Sequence, residues 1–171
     1  MNILIVDDEI KNLKLLEALL LPMKYGLFKA LDGKTAIDIL NKNEIDLILL
    51  DIMMPEMSGY EVCRIIKADE TKKDIPVIIL TSLNDDESQV KGLALGAADF
   101  ITKPFKIEIL QARVKTQLEL KKSRDELKAF NSSLKEMVKE RTKELALTQE
   151  VTIDCMASIA EYRDQIGRAH V

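Results

Sequence analysis

Six polar residues stand where chemistry could gather. Asp7 and Asp8 follow the apolar run Ile3–Val6, Asp51 follows Leu47–Leu50, Thr81 and Ser82 follow Val77–Leu80, and Lys103 follows Asp99–Thr102. Three carboxylates brought to one place repel one another, which raises their pKa values. A hard, oxygen-seeking divalent cation such as Mg²⁺ relieves that repulsion. A lysine and a hydroxyl beside such a cluster add the donors that hold a phosphoryl group. A carboxylate can itself attack phosphorus and become an aspartyl phosphate. Taken singly, each feature is ordinary. An Asp after a strand is commonly a turn former or a helix cap, Thr81-Ser82 can cap a helix, and Lys103-Pro104 can be a loop. Four such features in the same relative place are much harder to assign to turn chemistry.

The elements that must position them are legible as two alternating textures. Ile3–Val6, Leu47–Leu50 and Val77–Leu80 are short runs of Ile, Leu and Val, as in strands buried on both faces of a parallel sheet. Phe28–Leu31 and Asp99–Thr102 are weaker strand candidates at similar spacing. Between them lie helical periodicities: Leu13, Leu16, Leu19 and Leu20; Ala36, Ile37 and Leu40; Val62, Ile65 and Ile66 after Ser58; Val90, Leu93 and Ala94 after Asp85–Glu87. Strand–helix alternation of this kind predicts an α/β, doubly wound, five-stranded parallel sheet with helices on both faces. In such a sheet ligands bind beyond the carboxyl ends of the strands, where all six polar residues fall.

The chain has 171 residues, 47% hydrophobic and 32% charged, with a net charge of −4. That excludes wholesale disorder, which pairs low hydrophobicity with high net charge. Its apolar runs are far shorter than the ~20 residues of a membrane span. The opening MNILIVDDE has no basic stretch and meets acid at its seventh residue, unlike a secretory signal. Cys63 and Cys155 are far apart and suit idle thiols of a reducing compartment. The acidic balance argues against a nucleic-acid partner. A cytoplasmic protein with no membrane partner is expected. All four prolines precede residue 105, and no Gly or Pro occurs from Phe105 to Ile166. A turn-rich domain is thus followed by a long unbroken segment.

The first part resembles a response-regulator receiver domain, the phosphoacceptor half of two-component signalling. The resemblance covers about residues 1–120. It rests on ILIVDDE at 3–9, DLILLDIMMPEMSGYEV at 46–62, PVIILTSLND at 76–85 and GLALGAADFITKPF at 92–105. It implies a flavodoxin-like sheet and phosphorylation on Asp51 by a sensor histidine kinase or a small phosphodonor. Asp8 and Asp51 would bind Mg²⁺ directly with the backbone carbonyl of Met53, and Asp7 would hold it through water. Thr81 would be the switch hydroxyl and Lys103 the charge-neutralising lysine, followed by a cis bond to Pro104. Phe100 stands where the family has its rotating aromatic; as Phe it has no hydroxyl to donate. The face around the fourth helical segment, the last strand and the helix after it would change on phosphorylation.

Beyond the receiver, one helix is predicted from Ile107 to about Tyr162, with Ile107, Leu110 and Val114 packing back on the sheet. Leu120, Leu127 and Leu134 recur every seven residues, and Phe130 and Met137 take the other seam position. Ser123 and Arg141 interrupt the pattern, and Val138 and Leu145 fit a shifted register. This reads as a coiled coil over 121–150 that makes a homodimer; a single helix folding back on its own domain is the alternative. Residues 152–171 are similar to the opening helix of HD-GYP phosphohydrolase domains, which degrade cyclic di-GMP. The similarity rests on Ala160-Glu161-Tyr162-Arg163-Asp164, Gly167 and His170, with His170 implied as a metal ligand after a Gly-containing turn. Ile166 departs from that pattern, where a Glu is often found. The His-Asp pair and the GYP segment are absent, so the expectation is that 151–171 begin an output domain truncated in this chain. The other readings are a receiver feeding a different output enzyme, or an adaptor acting by dimerisation alone.

Overall fold

The computed structural model describes residues 1–82 and 92–168, apart from the side chains of residues 150, 154 and 160–168. Its strands are β1 (Asn2–Val6), β2 (Gly26–Ala30), β3 (Leu47–Asp51), β4 (Val77–Ser82) and β5 (Asp99–Lys103). Its helices are α1 (Ile10–Leu20), α2 (Gly33–Lys42), α3 (Gly59–Ala68) and α4 (Ile107–Arg168), with a 3₁₀ turn at Leu21–Met23. The strands form one parallel sheet in the order β2-β1-β3-β4-β5. This is the flavodoxin-like, doubly wound arrangement expected from the sequence. Of the expected fourth helix, Gly92–Ala94 are helical and Val90 lies outside the described residues.

The apolar runs are strands because both sides of the sheet are covered. Alternate residues of one strand enter different cores. Ile3, Ile5, Leu47, Leu49, Ile78 and Leu80 pack with Leu13, Leu16 and Leu20 of α1 and with Leu110, Val114 and Leu118 of α4. Leu4, Val6, Ile48, Leu50 and Val77 pack with α2 and α3 through Ala36, Leu40, Val62, Cys63 and Ile66. Ile107 does not join the first core as predicted; it is 39% exposed. The buried set 110, 114 and 118 repeats every four residues, so the contacting stripe continues toward Leu118.

Helix starts follow local chemistry. Asp32 accepts the Thr35 N–H at 2.7 Å and caps α2. Ser58 and Glu61 form a reciprocal capping box at α3. The buried thiol of Cys63 is pushed up by desolvation, against the pull of Lys67, as suits a packing residue.

The chain divides into two compact units, Met1–Arg124 and Asp125–Val171. Helix α4 belongs to both, and it runs through Gly167 to Arg168, where a Gly-containing turn was expected. A single glycine near a helix end costs only about 1 kcal/mol, so it need not break one. In the second unit Leu127, Phe130, Leu134, Met137, Val138 and Leu145 are exposed. Thr142, Thr148 and Thr152 donate their hydroxyls to the carbonyls of Val138, Glu144 and Thr148, four residues back. Among the described residues no helix is long and apolar enough to cross a membrane.

Candidate functional site

The strand order reverses between β1 and β3, which lie side by side. Crevices open at the carboxyl ends of strands at such a point. Asp7 and Asp8 leave β1 there, and Asp51 is the last residue of β3. Thr81 and Lys103 also lie within the final residues of their strands rather than after them. Thr81 pairs with Thr102, and Ser82 with Lys103, across the β4–β5 ladder.

Asp7, Asp8 and Asp51 offer carboxylate oxygens all within 4.8 Å of one another. Asp7 is fully buried and Asp51 is 5% exposed. Lys103 Nζ lies 2.9 Å from Asp7 Oδ2 and 3.0 Å from Asp51 Oδ2, bridging the two. The other acceptor positions of Asp7 are also used. Its Oδ1 accepts the Glu9 N–H at 2.9 Å, and Asn12 Nδ2 donates to Oδ1 at 2.9 Å and to Oδ2 at 3.0 Å. Desolvation pushes the Asp51 carboxyl above its ordinary range, and the hydrogen bond and charge of Lys103 oppose the rise without cancelling it. Burial pulls Lys103 down, but its hydrogen bonds to Asp7 and Asp51 prevail and hold it above its usual value. The lysine is therefore a fixed cation at neutral pH.

Thr81 is 3% exposed, and its Oγ1 has no hydrogen-bond partner among the described residues. A buried hydroxyl without a partner is uncommon and costs free energy, so this position asks for one. Met53 lies in the loop after β3 with an exposed side chain, its backbone near enough to the Asp51 carboxyl to favour its charged form slightly. The Lys103–Pro104 bond is cis. Phe100 packs with Tyr60 against Ile52, Ile79 and Ala97. His170 lies outside the described residues.

Sequence reasoning passed over two residues at this site. Asn12 gave no motif signal beyond its place in the first turn of α1, five residues after Asp7. Gly59 opens α3, and a Cβ there would stand 2.1 Å from the Asp51 carbonyl oxygen. Only glycine lets the helix start abut the end of β3, and its N–H donates to the Ile52 carbonyl at 3.0 Å.

The arrangement can do two things chemically. Its all-oxygen acid cluster fits a hard divalent cation such as Mg²⁺. Its lysine and unpartnered hydroxyl fit an anion carried on Asp51.

Residues 3–115 match the family described as response regulator receiver domain. A "probable cyclic di-GMP phosphodiesterase" of Vibrio cholerae is 43% identical over 163 residues, which cover 95% of this chain and 37% of that protein. "Response regulator PleD" of Caulobacter vibrioides is 42% identical over 136 residues, covering 80% of this chain and 30% of that protein. The chain thus spans about a third of the length of these two relatives. Among solved structures, the receiver domain of a signal transduction histidine kinase from Syntrophus aciditrophicus superposes with a TM-score of 0.64 at 40% identity. That match covers 69% of this chain and 89% of the other.

Proposed function

The chain belongs to the response regulator receiver family, and from that membership we propose that Asp51 accepts a phosphoryl group from a sensor histidine kinase. The observation that carries this reading is the pairing of a desolvated Asp51, bridged by Lys103, with the buried hydroxyl of Thr81, which has no partner among the described residues. An Asp51 carboxylate oxygen attacks phosphorus in line; the new O–P bond forms as the P–N bond breaks, and the donor imidazole leaves with the electron pair. Lys103 keeps its charge throughout and turns its donors to the phosphoryl oxygens. Thr81 donates a hydrogen bond from its hydroxyl to one of those oxygens, keeping its proton. Asp8, Asp51 and the Met53 carbonyl would hold Mg²⁺ directly, with Asp7 one shell further out. When bound, that ion supplies positive charge to the phosphoryl oxygens. The saturation of Asp7 by Glu9, Asn12 and Lys103 supports this division of roles. Phe100, packed on the residue after Asp51, is the aromatic that responds.

The output follows α4. We read residues 1–120 as the receiver, 121–150 as a homodimeric coiled coil and 151–171 as the start of an HD-GYP-like output domain, with His170 as a metal ligand there. The exposed seam residues support the dimer. The near-complete coverage of this chain by the Vibrio cholerae relative supports a cytoplasmic cyclic di-GMP phosphodiesterase as the whole protein. Treatment with a small phosphodonor and Mg²⁺ should add one phosphoryl mass to the protein and none to Asp51→Asn. A mass gain in that variant would refute the assignment. Phosphorylation-dependent hydrolysis of cyclic di-GMP by the full-length protein would test the output; its absence would favour a different output or an adaptor.

A further inference from the structure

Asp99 opens β5 and Arg113 lies in the second turn of α4, apart from the acid cluster. Their side chains form an ion pair, with Arg113 Nη1 on Asp99 Oδ1. The same Asp99 oxygen accepts the Phe100 N–H at 2.9 Å. The Arg113 guanidinium lies 5.2 Å from the centroid of the Phe100 ring, within cation–π range. Phe100 in turn packs on Ile52, which follows Asp51, and on Ile79, its partner across the β4–β5 ladder and two residues before Thr81. One ring therefore connects the neighbour of the acceptor, the strand of the hydroxyl and a cation on the helix that leads to the output. A tyrosine here could secure itself by its own hydroxyl; a phenylalanine depends on what lies over its face.

We propose that Arg113 is a positioning residue, which, clamped by Asp99, holds the Phe100 ring in the arrangement seen here and so biases the receiver against its phosphoryl-bound state. This rests on the reading of Asp51 as phosphoacceptor. A ligand that binds only the switched state must overcome the bias, and its apparent affinity falls by the fraction of competent molecules. Stacking of a partly exposed guanidinium on an aromatic face corresponds to about a two- to fivefold change in that fraction.

The test uses the whole chain, with beryllofluoride and Mg²⁺ as the phosphoryl mimic, read by the amide resonances of Ile52, Ala97 and Phe100. Arg113→Met should bind the mimic about two- to fivefold more tightly than the unaltered protein. Loss of a positive charge acting through space alone would weaken anion binding, so the sign separates the two effects. Arg113→Lys, which keeps the charge and can still pair with Asp99 over the ring, should stay nearer the original affinity than Arg113→Met. Asp99→Asn loosens the clamp without altering α4 and should move in the same direction as Arg113→Met. In a Phe100→Ala background, Arg113→Met should add nothing. Unchanged or weaker binding by Arg113→Met, or the same tightening in the Phe100→Ala background, would overturn the clamp while leaving Asp51 as acceptor. Failure of the unaltered protein to bind the mimic in an Asp51-dependent way would overturn the phosphoacceptor reading, and the clamp with it.

Discussion

Asp51→Asn should make the metal-free protein more stable, although it removes the residue on which the proposed chemistry depends. The side chain keeps its shape and loses one charge. At an effective dielectric of about 20, unit charges 4.8 Å apart interact by about 3.5 kcal/mol, and unit charges 3.0 Å apart by about 5.5 kcal/mol. Asp51 thus meets at least the smaller repulsion from Asp7, a weaker one from Asp8, whose partial exposure admits screening water, and the larger attraction from Lys103. Repulsion and attraction nearly cancel. What remains is the desolvation of a buried carboxylate, the leading cause of its raised pKa. Removing it should stabilise the fold by about 1–2 kcal/mol, or roughly 3–8 °C in the midpoint of a domain this size. The pH dependence has a definite sign. Between the ordinary carboxyl value of 3.8 and the raised folded value, the folded state holds a proton that the unfolded state has released. The unaltered protein therefore loses stability relative to the Asn variant as pH rises through that window, and the gap is constant above it. Mg²⁺ should narrow the gap by binding the original cluster preferentially. Scanning calorimetry of both proteins, in chelator and in Mg²⁺, from acid to neutral pH, measures all of this. An Asn variant no more stable than the original at neutral pH in chelator, or a gap unchanged by pH, would refute the reasoning.

Gly59→Ala should cost about 1–3 kcal/mol, because the new methyl collides with the Asp51 backbone rather than with a side chain that can move aside; urea unfolding reads the loss, and phosphoacceptance should fall with it. Ser58→Ala removes the α3 capping box at a cost of about 1 kcal/mol, also seen in urea, while phosphorylation of Asp51 should persist. Leu127→Glu combined with Leu134→Glu places charges in the proposed seam and should convert a dimer to a monomer in sedimentation, with phosphoryl uptake retained; an unchanged sedimentation coefficient would count against the coiled coil.

Much of the fold was legible because it rests on local rules. A run such as Leu47–Leu50 between polar residues can be satisfied only where both faces are covered. Helical spacing in Leu13, Leu16 and Leu20 predicts the face that is in fact buried. The place of Asp7, Asp51 and Lys103 at strand ends follows from the same runs. Ile107 shows where such reading fails. It has the right type and phase for the core, yet the core takes Leu118 instead, because the line of contact depends on the angle at which the helix meets the sheet.

The sequence by itself determined the strands, the residue types at their ends and the unbroken apolar pattern of α4, since each is set by neighbours within a turn or two. Only the tertiary structure decided that Lys103 bridges Asp7 and Asp51, Lys103 and Asp7 standing 96 positions apart in the chain, and that Asn12 turns its amide on Asp7. The same holds for the lone Thr81 hydroxyl and for the guanidinium of Arg113 over Phe100. Those contacts arise from strand order and helix placement, which bring together groups remote in the chain. Burial then removes the water that would otherwise weaken the electrostatics between them.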